Sequence, residues 1–338
     1  MTVGKAETVA AWREVLALCR LRGDETVAVL TKTEADPRNI EAARHAVVDL
    51  GAPHFCLEPH IARTPLMANR PAMDALRAVD LVIDFVGIHL LRAGEQEAIT
   101  RAGTRILYVV EPPETLIRLL PTVEDKQRVK AAEACLKGAS TLTATSEAGT
   151  DLTVEIGEYP ILCEYGYSDE PGHWDHWPAG FVATWPNEGS ARGTVVIDRG
   201  DIIFPFKDYV RTPIRLRIET GYIRAIEGDL DADFLREYIR QFNDDEAYAV
   251  SHLGWGLQPR ARWTELGLPR GQTNGNDGRS FYGNFMFSTG PNTDAGGRRD
   301  TLCHLDIPMR HCSVSLDGRP MTVKGDVVAD GQRCTPTS

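Results

Sequence analysis

The 338-residue chain has no apolar run approaching the roughly 20 residues that span a bilayer, which argues against a membrane protein. Basic residues are in deficit. With 37 Lys+Arg against 48 Asp+Glu the net charge is -11, so the footprint expected of a nucleic-acid or anionic-lipid partner is missing. The opening MTVGKAETVAAWREVLALCRL shows no basic segment leading into an unbroken apolar stretch, so a cytoplasmic location is expected rather than export. Cysteine is scarce and unpatterned. Cys19, Cys56, Cys135, Cys163, Cys303, Cys312 and Cys334 are odd in number and contain no CxxC, which excludes a zinc ribbon and a disulfide framework and suits reduced thiols. No GxGxxG follows the first predicted strand, so no dinucleotide site is read. Internal repeats and low-complexity tails are also lacking. What remains, at 42% hydrophobic and 25% charged, is the composition of an ordinary globular protein long enough for two domains.

The first half alternates strand and helix signals. TVAVLT (26–31), DLVIDFVG (80–87) and RILYVVEP (105–112) read as buried strands; DPRNIEAARHAVVDLGA and VEDKQRVKAAEACLKGAS read as helices between and after them. That alternation predicts a parallel sheet covered by helices, a Rossmann-like architecture without its cofactor. Near Ala148 the pattern changes to TDLTVEIG, GTVVIDRGDIIF and IRLRIETGYIRAIEG, short strands separated by Gly, Asp and Pro, with one helix in DADFLREYIRQF capped at Asp231 or Asp233. The expected division is an α/β domain over 1–148 and an α+β domain over 149–338. The Gly/Asn-rich tract from Pro269 to Arg299 predicts an ordered loop lining a site, because FYGNFMF is too aromatic for disorder.

Chemistry concentrates in the second half. TLCHLDIPMRH places His304 and Asp306 two residues apart on a predicted strand, where both side chains share a face. In AYAVSHLGWG, His252 follows an apolar run and precedes two glycines, which predicts a strand end. Two imidazoles and one carboxylate compose the facial triad of non-haem Fe(II) oxygenases. Each residue also has a plainer reading, as a surface pair for His304 and Asp306 and as a hydrogen-bonded core histidine for His252. Glu246, in the NDDE run, reads as solvated or as a remnant carboxylate.

HLDIPMRHCSVSLDG, AVSHLGWGLQP, GNFMFSTG and GTDLTVEIG together resemble the 2,5-dihydroxypyridine 5,6-dioxygenase family, whose fold is of the leucyl aminopeptidase-like metalloenzyme type. The resemblance covers most of the chain. It implies a single Fe(II) held by His252, His304 and Asp306, a small aromatic N-heterocycle and O2 as co-substrates, cleavage between C5 and C6 to N-formylmaleamate, and a homo-oligomer. A two-metal metallopeptidase is the alternative, since the fold relatives share the His-x-Asp motif. Ring cleavage also needs a base for the substrate hydroxyl and a donor for the reacting oxygen. His89, after the strand LVIDFVG, is the first choice for such work. In EPGHWDHWPAGF the family match favours His176 over His173, with Glu164 orienting it, and Ser288 is a candidate hydrogen-bond partner for the ring.

Overall fold

Residues 3–59, 69–86, 93–267 and 273–334 are described by the structure, a computed structural model. The chain begins with helix α1 (Lys5–Leu18) and then alternates β1 (Val27–Leu30), α2 (Pro37–Asp49), β2 (His54–Leu57), α3 (Arg70–Arg77), β3 (Leu81–Asp84), α4 (Ala93–Thr100) and β4 (Arg105–Val109). The three predicted strands of this half are β1, β3 and β4. The short α5 (Pro113–Arg118) and the long α6 (Val123–Lys137) follow. Helix α2 starts where its sequence said it should: Asp36 accepts the Arg38 N–H and Pro37 occupies the first turn.

Next come β5 (Thr141–Ser146), β6 (Asp151–Glu164), β7 (Trp174–Trp177), β8 (Phe181–Pro186), β9 (Arg192–Ile197), the two-residue strands β10 (Ile202–Ile203) and β11 (Asp208–Tyr209), and the hairpin β12 (Ile214–Glu219) with β13 (Tyr222–Gly228). Helix α7 (Leu230–Arg240) precedes β14 (Val250–Gly256), the single-turn α8 (Asn276–Arg279), β15 (Phe285–Thr289), β16 (Leu305–Met309), β17 (Cys312–Leu316), β18 (Arg319–Val323) and β19 (Asp326–Val327). Among the described residues no helix is long and apolar enough to cross a membrane.

Two compact units result, and the chain passes between them more than once. The first comprises residues 1–126, 164–179 and 271–274, the second 127–163, 180–270 and 275–338. Against the expected single cut after residue 148, residues 127–148 pack with the second unit and 164–179 return to the first. The reason for the return is β7. It adds to the first sheet, whose order is β2-β1-β3-β4-β7, with every neighbour parallel. The core on one face of this sheet joins Leu30, Met73, Leu76, Val82 and Ile106.

The second unit is built on a 12-stranded sheet whose main path runs β16-β15-β14-β8-β6-β5-β17-β18-β19. Strand β12 shows the half-buried alternation that its sequence predicts, with Ile214, Leu216 and Ile218 inward and Arg215, Arg217 and Glu219 outward. Two expectations change here. The cap of α7 is Asp229, and Asp231 instead accepts the Arg211 and Thr212 N–H groups from within the first turn. The Gly/Asn-rich tract is not all loop, because Phe285–Thr289 is β15, fully buried between β14 and β16. Its flanking glycines and asparagines disguised a strand whose own residues are aromatic and β-branched.

Candidate metal centre

His252, His304 and Asp306 come together in the second unit, their ligand atoms all within 4.8 Å of one another. Asp306 belongs to β16 and His304 immediately precedes it, so the i, i+2 relation brings both to one side as expected. The Nε2 atoms of His304 and His252 lie 3.1 and 3.2 Å from the same carboxylate oxygen, Asp306 Oδ1.

His252 is not at a strand end, contrary to the sequence reading. It sits inside β14, and the two glycines that follow continue the strand. Gly254 is there because β8 passes so closely that a Cβ would fall 1.8 Å from the Val182 carbonyl oxygen. What re-aims His252 is a bulge. Val250 pairs with Thr289 and Leu253 with Phe287, so Ser251 and His252 together oppose the single residue Ser288. Ser288, fully buried on β15 and opposite Asp306 on β16, donates its Oγ–H to the His252 carbonyl at 2.7 Å. Trp185 packs edge-on against the His252 ring at 5.6 Å.

These residues fit a divalent metal ion. The His304 Nδ1 faces the Thr289 carbonyl at 3.1 Å, so Nδ1 keeps the proton in the neutral ring and Nε2 is the nitrogen available to a metal. Asp306 Oδ1 is buried, with no hydrogen bond of acceptable geometry, although two imidazole nitrogens face it. Burial opposes ionisation of Asp306, yet the neighbouring His304 and the Arg279 guanidinium hold its carboxyl well below the usual range. Burial likewise opposes a charge on His304, and the Asp306 carboxylate outweighs it and raises the imidazole. An anionic oxygen and two neutral nitrogens are a donor set for one hard-to-borderline cation. Among the described residues no other group of three such donors occurs. Glu246 is engaged elsewhere, accepting from the Tyr222 hydroxyl at 3.1 Å.

Other predicted residues fall in the first unit. His176 lies on β7 opposite Tyr108 of β4, with ring centroids 4.4 Å apart, and its Nδ1 is 3.9 Å from Glu164 Oε2. Asp175, fully buried, accepts N–H groups from Tyr165 (3.1 Å), Gly166 (2.9 Å) and His176 (2.7 Å), which ties the residues just after β6 to β7. The structure also separates the two histidines of this motif. His173 is committed to Asp175 at 3.0 Å and stacks on Tyr165, a structural arrangement. His89 lies outside the described residues.

Sequence reading missed three parts of the metal centre: the Thr289 carbonyl, Trp185 and Arg279, whose Nε donates to Asp306 Oδ2 at 2.7 Å. No local pattern marks them, since each reaches the site through strand pairing or a loop.

The 2,5-dihydroxypyridine 5,6-dioxygenase (NicX) family matches residues 7–329. The chain belongs to this family. It is 49% identical to the 2,5-dihydroxypyridine 5,6-dioxygenase of Pseudomonas putida KT2440, over 97% of this chain and 98% of that one. The solved structure of the dioxygenase from the same organism superposes with a TM-score of 0.94, covering 98% of this chain and all of the other. Wild-type AmpT from Thermus thermophilus shares the fold at a TM-score of 0.60 and 16% identity, over 96% of this chain and all of the other. The fold is thus mixed α/β, as the sequence predicts, and is shared with AmpT.

Proposed function

We propose that this member of the dioxygenase family opens 2,5-dihydroxypyridine between C5 and C6, yielding N-formylmaleamate. The C5–C6 bond breaks and each carbon gains one oxygen atom from O2: C5 leaves as a carboxylate and C6 as a formyl carbon on nitrogen. The observation that carries the reading is the convergence of His252 Nε2 and His304 Nε2 on the orphaned Asp306 Oδ1.

In this reading the three residues hold one Fe(II), which when bound supplies the one-electron chemistry that lets triplet dioxygen react with a closed-shell ring. The protein does the rest. His304 stays in the Nε2-lone-pair tautomer because Thr289 fixes its Nδ1 proton. Ser288 steadies the bulge that carries His252, a positioning task that replaces the ring contact expected of it. For the proton of the substrate hydroxyl and the steadying of the reacting oxygens, the candidates remain His89 and His176, the latter favoured by the family resemblance and 3.9 Å from Glu164. The scattered thiols support a cytoplasmic location and the acidic balance a lack of nucleic-acid or anionic-membrane partners, while the homo-oligomer is implied by the family resemblance alone.

Oxygen uptake by anaerobically Fe(II)-loaded protein tests the proposal. One O2 consumed per 2,5-dihydroxypyridine, with N-formylmaleamate as product, is expected. No uptake by protein that holds its iron would overturn it.

A further inference from the structure

Asp306 is held by two residues remote from it in sequence. Arg279 Nε donates to Oδ2 at 2.7 Å, and the Phe204 N–H donates to the Asp306 carbonyl at 2.8 Å. The same two residues support each other: the Arg279 guanidinium lies 3.9 Å from the Phe204 ring centroid, a cation–π contact that fixes its approach. Gly275 makes the arrangement possible. It opens α8 at φ +96°, and a Cβ there would come within 2.3 Å of the Phe204 ring.

The consequence is that the two carboxylate oxygens differ. Oδ2 is committed to a charge-assisted hydrogen bond. Oδ1 is buried and faces both imidazole Nε2 atoms, at 3.2 and 3.1 Å. We propose that Arg279 is a positioning residue that restricts Asp306 to one-oxygen ligation of the metal, an inference that rests on the metal reading above. An octahedral ion held by three protein atoms keeps one face open. A carboxylate chelating through both oxygens takes a position from that face, where ring and dioxygen must meet. By occupying Oδ2, Arg279 keeps the face whole.

The test uses full-length protein loaded with Co(II) and examined by X-ray absorption, which distinguishes one-oxygen from chelating carboxylate. Wild type is expected to show one-oxygen ligation. Arg279→Met, which keeps length and loses the donor, is expected to bind one Co(II) with Asp306 now chelating. Turnover of its Fe(II) form should fall by about 10–100-fold, the usual effect of losing a group that orients a metal ligand. Arg279→Lys retains the charge and one donor and is expected to fall between; it also serves if Arg279→Met does not fold. Identical carboxylate ligation in wild type and the variants, or wild-type turnover in Arg279→Met, overturns the proposal. The cobalt readout needs no turnover. Wild type that ligates Co(II) as expected but consumes no oxygen with 2,5-dihydroxypyridine therefore sinks the functional reading and leaves this one standing.

Discussion

Ser288 Oγ donates to the carbonyl oxygen of His252 across a two-against-one bulge, and so links a buried hydroxyl to the aim of an imidazole. The bond belongs to the backbone of the site rather than to its open face. Ser288→Ala is expected to cost about 1 kcal/mol of stability and to weaken metal binding by about tenfold, read by anaerobic titration. A raised KM with unchanged metal affinity would instead assign the hydroxyl to the ring.

The triad itself is tested by metal content. His252→Ala and His304→Ala are expected to lose the ion. Asp306→Asn should bind more weakly than wild type but better than Asp306→Ala, since it keeps the shape and loses the charge. His311→Ala should retain metal: the residue is exposed, at φ +59° in the turn between β16 and β17. Loss of metal in His311→Ala with retention in His304→Ala would show that the wrong histidine has been chosen.

For His176, replacement by Ala should leave metal content intact and cut turnover by about 10²–10⁴-fold, the worth of a positioned proton-transfer group. Glu164→Gln should have a smaller effect, because it removes only the orienting charge 3.9 Å away. His89→Ala is expected to behave as His176→Ala does. Full activity in either histidine variant would end its assigned role.

Asp201 gives a pH signature outside the triad. Burial raises its pKa to about 7, against the two N–H groups, from Arg310 and Asp198, that its oxygens accept. A carboxyl whose pKa rises on folding binds its proton more tightly folded than unfolded. Stability is therefore fullest below about pH 4 as far as this group is concerned, and falls through to about pH 7, by an amount on the order of 4 kcal/mol. Denaturant unfolding across that range checks it, with Asp201→Asn as the comparison. The Asn variant should lose this part of the slope, whatever its absolute stability; an unchanged slope would mean that Asp201 ionises normally.

Local pattern was enough to reveal the parallel strands β1, β3 and β4, the helices α2 and α6, the alternation of β12 and, as candidates, the His252, His304 and Asp306 that the fold brings together. Each of these depends on short-range chemistry: an apolar run, an Asp-Pro start, a period of two, or a His-x-Asp pair on one face. Tertiary structure decided the remainder. The HWDHW segment became the fifth strand of the first sheet because it pairs with β4 and Trp177 packs on Trp12, contacts that join residues distant in sequence. FMFST became a central strand because β14 and β16 both pair with it. The direction of His252 depends on how many residues oppose Ser288, and the inequality of the Asp306 oxygens depends on an arginine 27 positions away. Spacing along one strand specifies which residue types can share a face. Strand register and long-range hydrogen bonds determine where their atoms point, and those exist only once the sheet has formed.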